Sequence, residues 1–174
     1  MEVIAWVATG LGILNTFLLV LVFREIGILR IAAPGRRAGL GLDVPLPDFH
    51  LPTLDGSFVS STDARRRVML FVSGECDACR HLVDKLRAMP RTDLPPLLVG
   101  VTSRTDIDRG TPFLRTLDFL DPKTVFLDDR RVLFNELKIP VTPWAYVISD
   151  STKIRGSGIP ADVEELADLA RVVA

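Results

Sequence analysis

From Val3 to Phe23 the chain carries no charged residue and no polar face, with only Thr9, Asn15 and Thr16 interrupting the apolar run. Wound as a helix at about 1.5 Å per residue, the run is roughly 30 Å long, the hydrocarbon thickness of a bilayer. Trp6 near one end and Arg24 at the other are suited to the two interfaces. A cleaved leader would need a basic residue ahead of the run and a small-x-small site behind it, and neither is present. A core helix would have to be buried all round. The pattern predicts a single-pass transmembrane anchor with its juxtamembrane segment over 1–31. A linker over 32–42 follows, marked by Pro34, Gly35, Gly39 and Gly41.

Beyond residue 43 the hydrophobic period changes repeatedly. Pro47–Pro52 and Thr53–Val59 read as short strands around Asp55-Gly56. Val68–Ser73 is an apolar strand without alternation. Behind a Gly-Glu turn, Cys79, Leu82, Val83, Leu86 and Met89 recur at helical spacing until Pro90 stops the pattern. Leu97–Val101 and Thr124–Leu127 are buried strands. Helices are expected over 111–120, with Pro112 in the first turn, and over 131–137. Trp144–Ile148 is a strand with 153–158 as its hairpin partner. A last amphipathic helix over 162–173 has acids early and Arg171 late. This alternation predicts an α/β domain over 43–174, a mixed central sheet with helices on both faces.

The 174 residues are 48% hydrophobic and 25% charged, with a formal net charge of −1. No basic surplus exists to hold nucleic acid. Two cysteines cannot staple a framework, so Cys76-Asp77-Ala78-Cys79 reads as chemistry. Helical geometry puts Cys79 on the core-facing stripe and Cys76 at the open N-terminal end, with both thiols in the first turn. The helix dipole and unpaired N–H groups there favour a thiolate. A structural disulfide at this spacing closes too short a loop to stabilise much. Haem attachment would need His at 80, where Arg80 stands. Zinc would have to draw on Cys76, Cys79, His81 and His50, the only soft ligands, so no metal or cofactor is expected.

Phe71–Cys79 behind a strand resembles the active-site segment of the thioredoxin superfamily, and the Pro47–Gly56 hairpin is similar to that of its membrane-anchored redoxins. Ile139-Pro140-Val141-Thr142-Pro143-Trp144 is similar to the family's cis-proline loop. The resemblance implies a thioredoxin-like fold and a protein disulfide oxidoreductase with Cys76 and Cys79 as its dithiol. It makes Pro143 the cis-proline, Pro140 being the competing position, and lets the edge of Thr142 pair with a substrate strand. With the apolar run ahead, the chain looks most like the accessory redoxins encoded with methylamine dehydrogenase. That likeness implies a client protein with cysteines or disulfides, in the maturation of a periplasmic enzyme, and a transmembrane electron donor. A thiol peroxidase would need proline where Met69 stands. A non-catalytic membrane scaffold is the reading from a different class.

Two departures matter. The motif holds Asp77-Ala78 where the family commonly has proline, and Glu75 precedes Cys76. Carboxylates on both sides are expected to raise the Cys76 pKa and make the dithiol a reductant or isomerase. Arg24, Arg30, Arg36 and Arg37 follow the apolar run and nothing basic precedes it, which by the positive-inside rule puts the domain in the cytoplasm. Disulfide chemistry prefers the outside, and an extracytoplasmic domain is the expectation adopted.

Overall fold

The computed structural model describes residues 39–90 and 92–171. The expected transmembrane anchor over 1–31 and most of the linker over 32–42 lie outside these. Among the described residues no helix is long and apolar enough to cross a membrane.

Seven strands form: β1 (His50–Pro52), β2 (Phe58–Ser60), β3 (Val68–Val72), β4 (Leu97–Thr102), β5 (Val125–Asp128), β6 (Trp144–Ile148) and β7 (Ile154–Gly158). Strands β1 and β2 pair as an antiparallel hairpin; the other five make one sheet in the order β5-β4-β3-β6-β7. Within it β3, β4 and β5 run parallel, and β6 is antiparallel to both β3 and β7. The runs without alternation become the central strands, since both faces of the sheet are covered: every residue of β3, β4, β5 and β6 is buried.

The helices are α1 (Asp77–Ala88), α2 (Pro112–Arg115), α3 (Val132–Glu136) and α4 (Val163–Arg171). One face of the sheet packs Val68, Leu70, Val72, Val99 and Val101 against Cys79, Leu82, Val83 and Leu86 of α1 and Val163 and Leu166 of α4. The other packs Met69, Phe71, Phe126 and Tyr146 against Leu133 and Phe134 of α3 and Val59 of the hairpin. Gly100 in β4 belongs to that second face and is flanked in register by Phe71 and Phe126. Their rings meet edge to face at 5.8 Å, and a Cβ on Gly100 would come within 2.5 Å of the Phe126 ring.

The helix expected over 111–120 is cut to α2 and continues as tight turns. The N–H groups of Thr116, Leu117 and Leu120 donate to carbonyls three residues back at 3.0–3.1 Å, and the Thr116 hydroxyl donates to the Phe113 carbonyl at 2.6 Å. Three-residue spacing stacks Leu114 and Leu117 on one side, and both are buried. Helix α3 starts after Arg130 and Arg131, both left-handed at φ 57° and 56°. Its cap comes from Asp128 at the end of β5, whose carboxylate accepts the Leu133 and Phe134 N–H groups at 2.9 Å.

Candidate active site

Strand β3 delivers the chain to the C-terminal edge of the sheet, and Ser73–Glu75 turn it into α1, with the Cys76 N–H donating to the Ser73 carbonyl at 3.2 Å. Only Cys79 lies in the first turn of the helix. Cys76 sits one step outside, with extended backbone (φ −103°, ψ 114°), as the N-cap. Its Sγ accepts the Cys79 N–H at 3.3 Å, the place that a serine or aspartate oxygen takes in an ordinary cap. Cys79 is 0% exposed on the stripe with Leu82, Val83 and Leu86, while Cys76 is half-buried at the mouth, and both are free thiols.

The same geometry separates their acidities. Burial pushes the Cys76 thiol up, but hydrogen bonds from the Cys79 and Thr142 side chains and from the Cys79 and Ala78 N–H groups outweigh it. The net result lies below the ordinary thiol value. Burial pushes Cys79 up to about 12, and the neighbouring Cys76 adds to the rise. The pair is thus an accessible nucleophile backed by a sealed thiol.

The expected rise at Cys76 is therefore corrected. Asp77 points into solvent, its side chain 85% exposed, and forms an ion pair with Arg80. The Arg80 guanidinium also donates to the Gly74 carbonyl at 3.3 Å, so it ties the two ends of the cysteine turn together. The helical i,i+3 spacing of Asp77 and Arg80 already carries the signal for this pair in the sequence. With Asp77 matched by a cation, the case for a strongly reducing dithiol based on acidic flanks loses its premise.

Thr142 and Pro143 come from the opposite side, where the connector from α3 enters β6. The Thr142–Pro143 bond is cis, whereas Pro140 lies in the exposed part of the loop. The Cys76 Sγ–H donates to the Thr142 carbonyl at 3.2 Å, so all four residues singled out in the sequence meet at one place. Val141 beside them is 45% exposed. Other candidates are not brought in: His81, Asp84 and Lys85 are exposed on α1, and His50 stacks on Phe58 in the hairpin at 4.6 Å. Arg66 pairs with Asp150 in an exposed turn. Among the described residues no three His, Cys, Asp or Glu side chains converge as a metal site would require.

On the β4 side of the cysteine turn lies a cleft of about 570 Å³, with Glu75, Arg80, Thr102, Ile107 and Phe113 in its walls. A larger hollow of about 790 Å³ lies among Arg66, Asp150, Arg155 and Arg171, and neither hollow is lined by a thiol. The first cleft is the one that bears on the thiols, because it shares Ser73, Gly74 and Glu75 with their turn.

No family model matches the chain, and neither does any curated protein. Solved structures do. A thio-disulfide isomerase from Thermus thermophilus is 20% identical, with a TM-score of 0.56 over 78% of this chain and 99% of that one. A secreted disulfide oxidoreductase of Mycobacterium tuberculosis is 17% identical, with a TM-score of 0.55 over 72% of this chain and 96% of that one. The exposed lipoprotein thioredoxin of Streptococcus pneumoniae is 18% identical, with a TM-score of 0.52 over 72% and 98%. At these identities the likeness establishes the fold: residues from the hairpin to α4 are thioredoxin-like.

Proposed function

We propose that the chain is a thiol–disulfide oxidoreductase that exchanges disulfides with a client protein. One observation carries the reading. Cys76 caps a helix at the surface with a favoured thiolate, while Cys79 is sealed directly behind it and both face the Thr142–Pro143 edge. The Cys76 thiolate attacks one sulfur of a client disulfide, that S–S bond breaks, and the departing client thiolate takes a proton. Cys79 then gives up its proton and attacks the Cys76 sulfur, releasing the second client thiol. Two electrons pass to the client, and the domain is left with a Cys76–Cys79 disulfide. A dithiol donor must return the electrons. Solved thioredoxin-like structures described as a disulfide isomerase and a disulfide oxidoreductase support the reaction class.

The apolar run of Val3–Phe23 supports a membrane tether, with the domain outside the cytoplasm and a transmembrane protein as the electron donor. The secreted and surface-exposed settings of two similar structures favour that side over the one the arginines suggest. A periplasmic amine dehydrogenase is the proposed client, on the resemblance of the whole chain to the redoxins encoded with that enzyme. In Cys79→Ser the second step is blocked, so clients should accumulate as mixed disulfides on Cys76 and be identified by mass spectrometry. Absence of any adduct, together with unchanged activity of Cys76→Ser, would refute the reading and leave the scaffold alternative.

A further inference from the structure

Thr142 and Pro143 sit at the end of a connector that leaves α3 at Leu137. Helix α3 closes with Lys138 left-handed at φ 55°; the Lys138 N–H bonds to the Asn135 carbonyl at 3.0 Å and the Ile139 N–H to the Phe134 carbonyl at 3.1 Å. This is the Schellman closure, with Ile139 packed in the same cluster as Phe134. The Leu137 carbonyl is left over, and two groups far apart in sequence donate to it: the Tyr146 hydroxyl at 2.8 Å and the Leu40 N–H at 3.1 Å. Leu40 N–H also reaches the Tyr146 oxygen at 2.9 Å, closing a three-membered ring of hydrogen bonds.

Around this ring the N-terminal strap is fitted closely. Gly39 has φ +85°, and a Cβ there would lie 2.1 Å from the Tyr146 oxygen and 3.2 Å from the Trp144 ring. Trp144, the residue after Pro143, packs edge to face on Tyr146 at 6.0 Å. Below the ring the strap follows β7, with the Asp43 N–H on the Ile154 carbonyl and the Leu46 N–H on the Thr152 carbonyl, both at 2.8 Å. The Thr142–Pro143 edge is therefore held from both ends through one phenol: through Leu137 at the start of the connector and through Trp144 at its finish.

We propose that Tyr146 is a positioning residue for the client-binding edge and that the Gly39–Leu40 strap is the element it clamps to that edge. The inference rests on the thiol–disulfide reading given above. It adds that Gly39 and Leu40 are part of the site's support, so lifting the strap loosens Thr142 with both cysteine side chains left in place. Tyr146→Phe removes the hydroxyl but keeps the ring and its packing. Gly39→Ala sets a Cβ against the Tyr146 oxygen and the Trp144 ring, so the strap and the phenol must part.

The test uses the full-length chain in both variants, read by amide hydrogen exchange and by steady-state reduction of a disulfide-linked peptide. Exchange over 138–144 should rise in both. KM should rise roughly two- to tenfold, the factor carried by one net hydrogen bond of positioning, with kcat within about twofold, and the pH profile of Cys76 alkylation should move upward as Thr142 loosens its hold on the sulfur. Asp43→Asn, which breaks the exposed Asp43–Arg155 pair lower on the strap, should leave exchange and KM as in the parent. Unchanged exchange over 138–144 in Tyr146→Phe overturns the proposal, as does an equal response to Asp43→Asn. Absence of any disulfide reduction by the parent would sink the functional reading instead, while the exchange data still decide whether the clamp exists.

Discussion

The two thiols should differ by orders of magnitude in their reaction with a small alkylating agent, and the difference can be worked out from the fold. The perturbation is timed exposure of the reduced chain to iodoacetamide at pH 7. A thiol at the ordinary value of 9.0 is ionised in about one molecule in 10² at that pH, and Cys79 at about 12 in one in 10⁵. Ionisation alone thus slows Cys79 about 10³-fold against the ordinary thiol. The more basic thiolate is the better nucleophile, and a Brønsted coefficient of 0.4–0.5 returns a factor of about 15–30. A net slowing of roughly 30- to 70-fold remains against a free thiol. Enclosure by Leu82, Val83 and Leu86 adds to it, since Cys79 is 0% exposed. Cys76 moves the other way, being half-buried with its pKa below the ordinary thiol value. Peptide mapping by mass spectrometry should therefore show a singly alkylated species at Cys76, with Cys79 labelled only after denaturant is added. Replacing Cys79 with alanine removes a hydrogen bond that favours the Cys76 thiolate, so the Cys76 rate–pH curve should shift upward. Native-state labelling of both cysteines within about threefold of each other would refute the burial argument, since that gap is far smaller than the slowing burial imposes.

Linkage gives the same group a second consequence. Above pH 9.0 the unfolded chain ionises Cys79 while the folded one keeps its proton up to about 12, so the unfolded state binds fewer protons and stability falls as pH rises. Urea melts of the reduced chain should lose about 1.4 kcal/mol per pH unit from this group across that window, and Cys79→Ala should lack that component of the slope. Gly100→Ala should destabilise by about 1–3 kcal/mol, because its Cβ would meet the Phe126 ring at 2.5 Å between two immovable strands; a neutral urea midpoint would show that the Phe71–Phe126 pair yields easily. Lys138→Gly should raise stability by about 0.5–1 kcal/mol by relieving the left-handed Lys138 at the end of α3, and a loss would mean that the lysine side chain has a role of its own.

Short-range patterns carried much of this protein. The unbroken apolar runs at 68–73 and 97–101 report burial on both faces, which only a covered central strand supplies, and they became β3 and β4. The period of Cys79, Leu82, Val83 and Leu86 placed one thiol inward before any tertiary contact was known, since helical spacing alone decides which side chains share a stripe. Elements with weaker local signals fared less well. The segment 111–120 has helical periodicity, but Leu114 and Leu117 suit a three-residue turn equally, and packing chose the tighter one.

What tertiary structure alone decided lies between residues distant in the chain. The acidity of Cys76 runs opposite to what Glu75 and Asp77 suggest, because adjacency in sequence counts charges but not their directions. In the fold Asp77 turns out to Arg80, and Thr142 arrives from 66 residues away to meet the sulfur. Asp128 caps a helix that begins four residues later, past two left-handed arginines that no periodicity announces. Gly39 read as linker composition, yet its lack of a side chain is what lets the strap lie on Tyr146, 107 positions on. Sequence by itself determined the covered sheet, the redox helix and the inward thiol, because those follow from repeat distances of a few residues. Tertiary structure decided the direction of the Cys76 shift and what holds the edge opposite it, because Thr142, Leu137 and Tyr146 reach the site from parts of the chain that no local repeat connects.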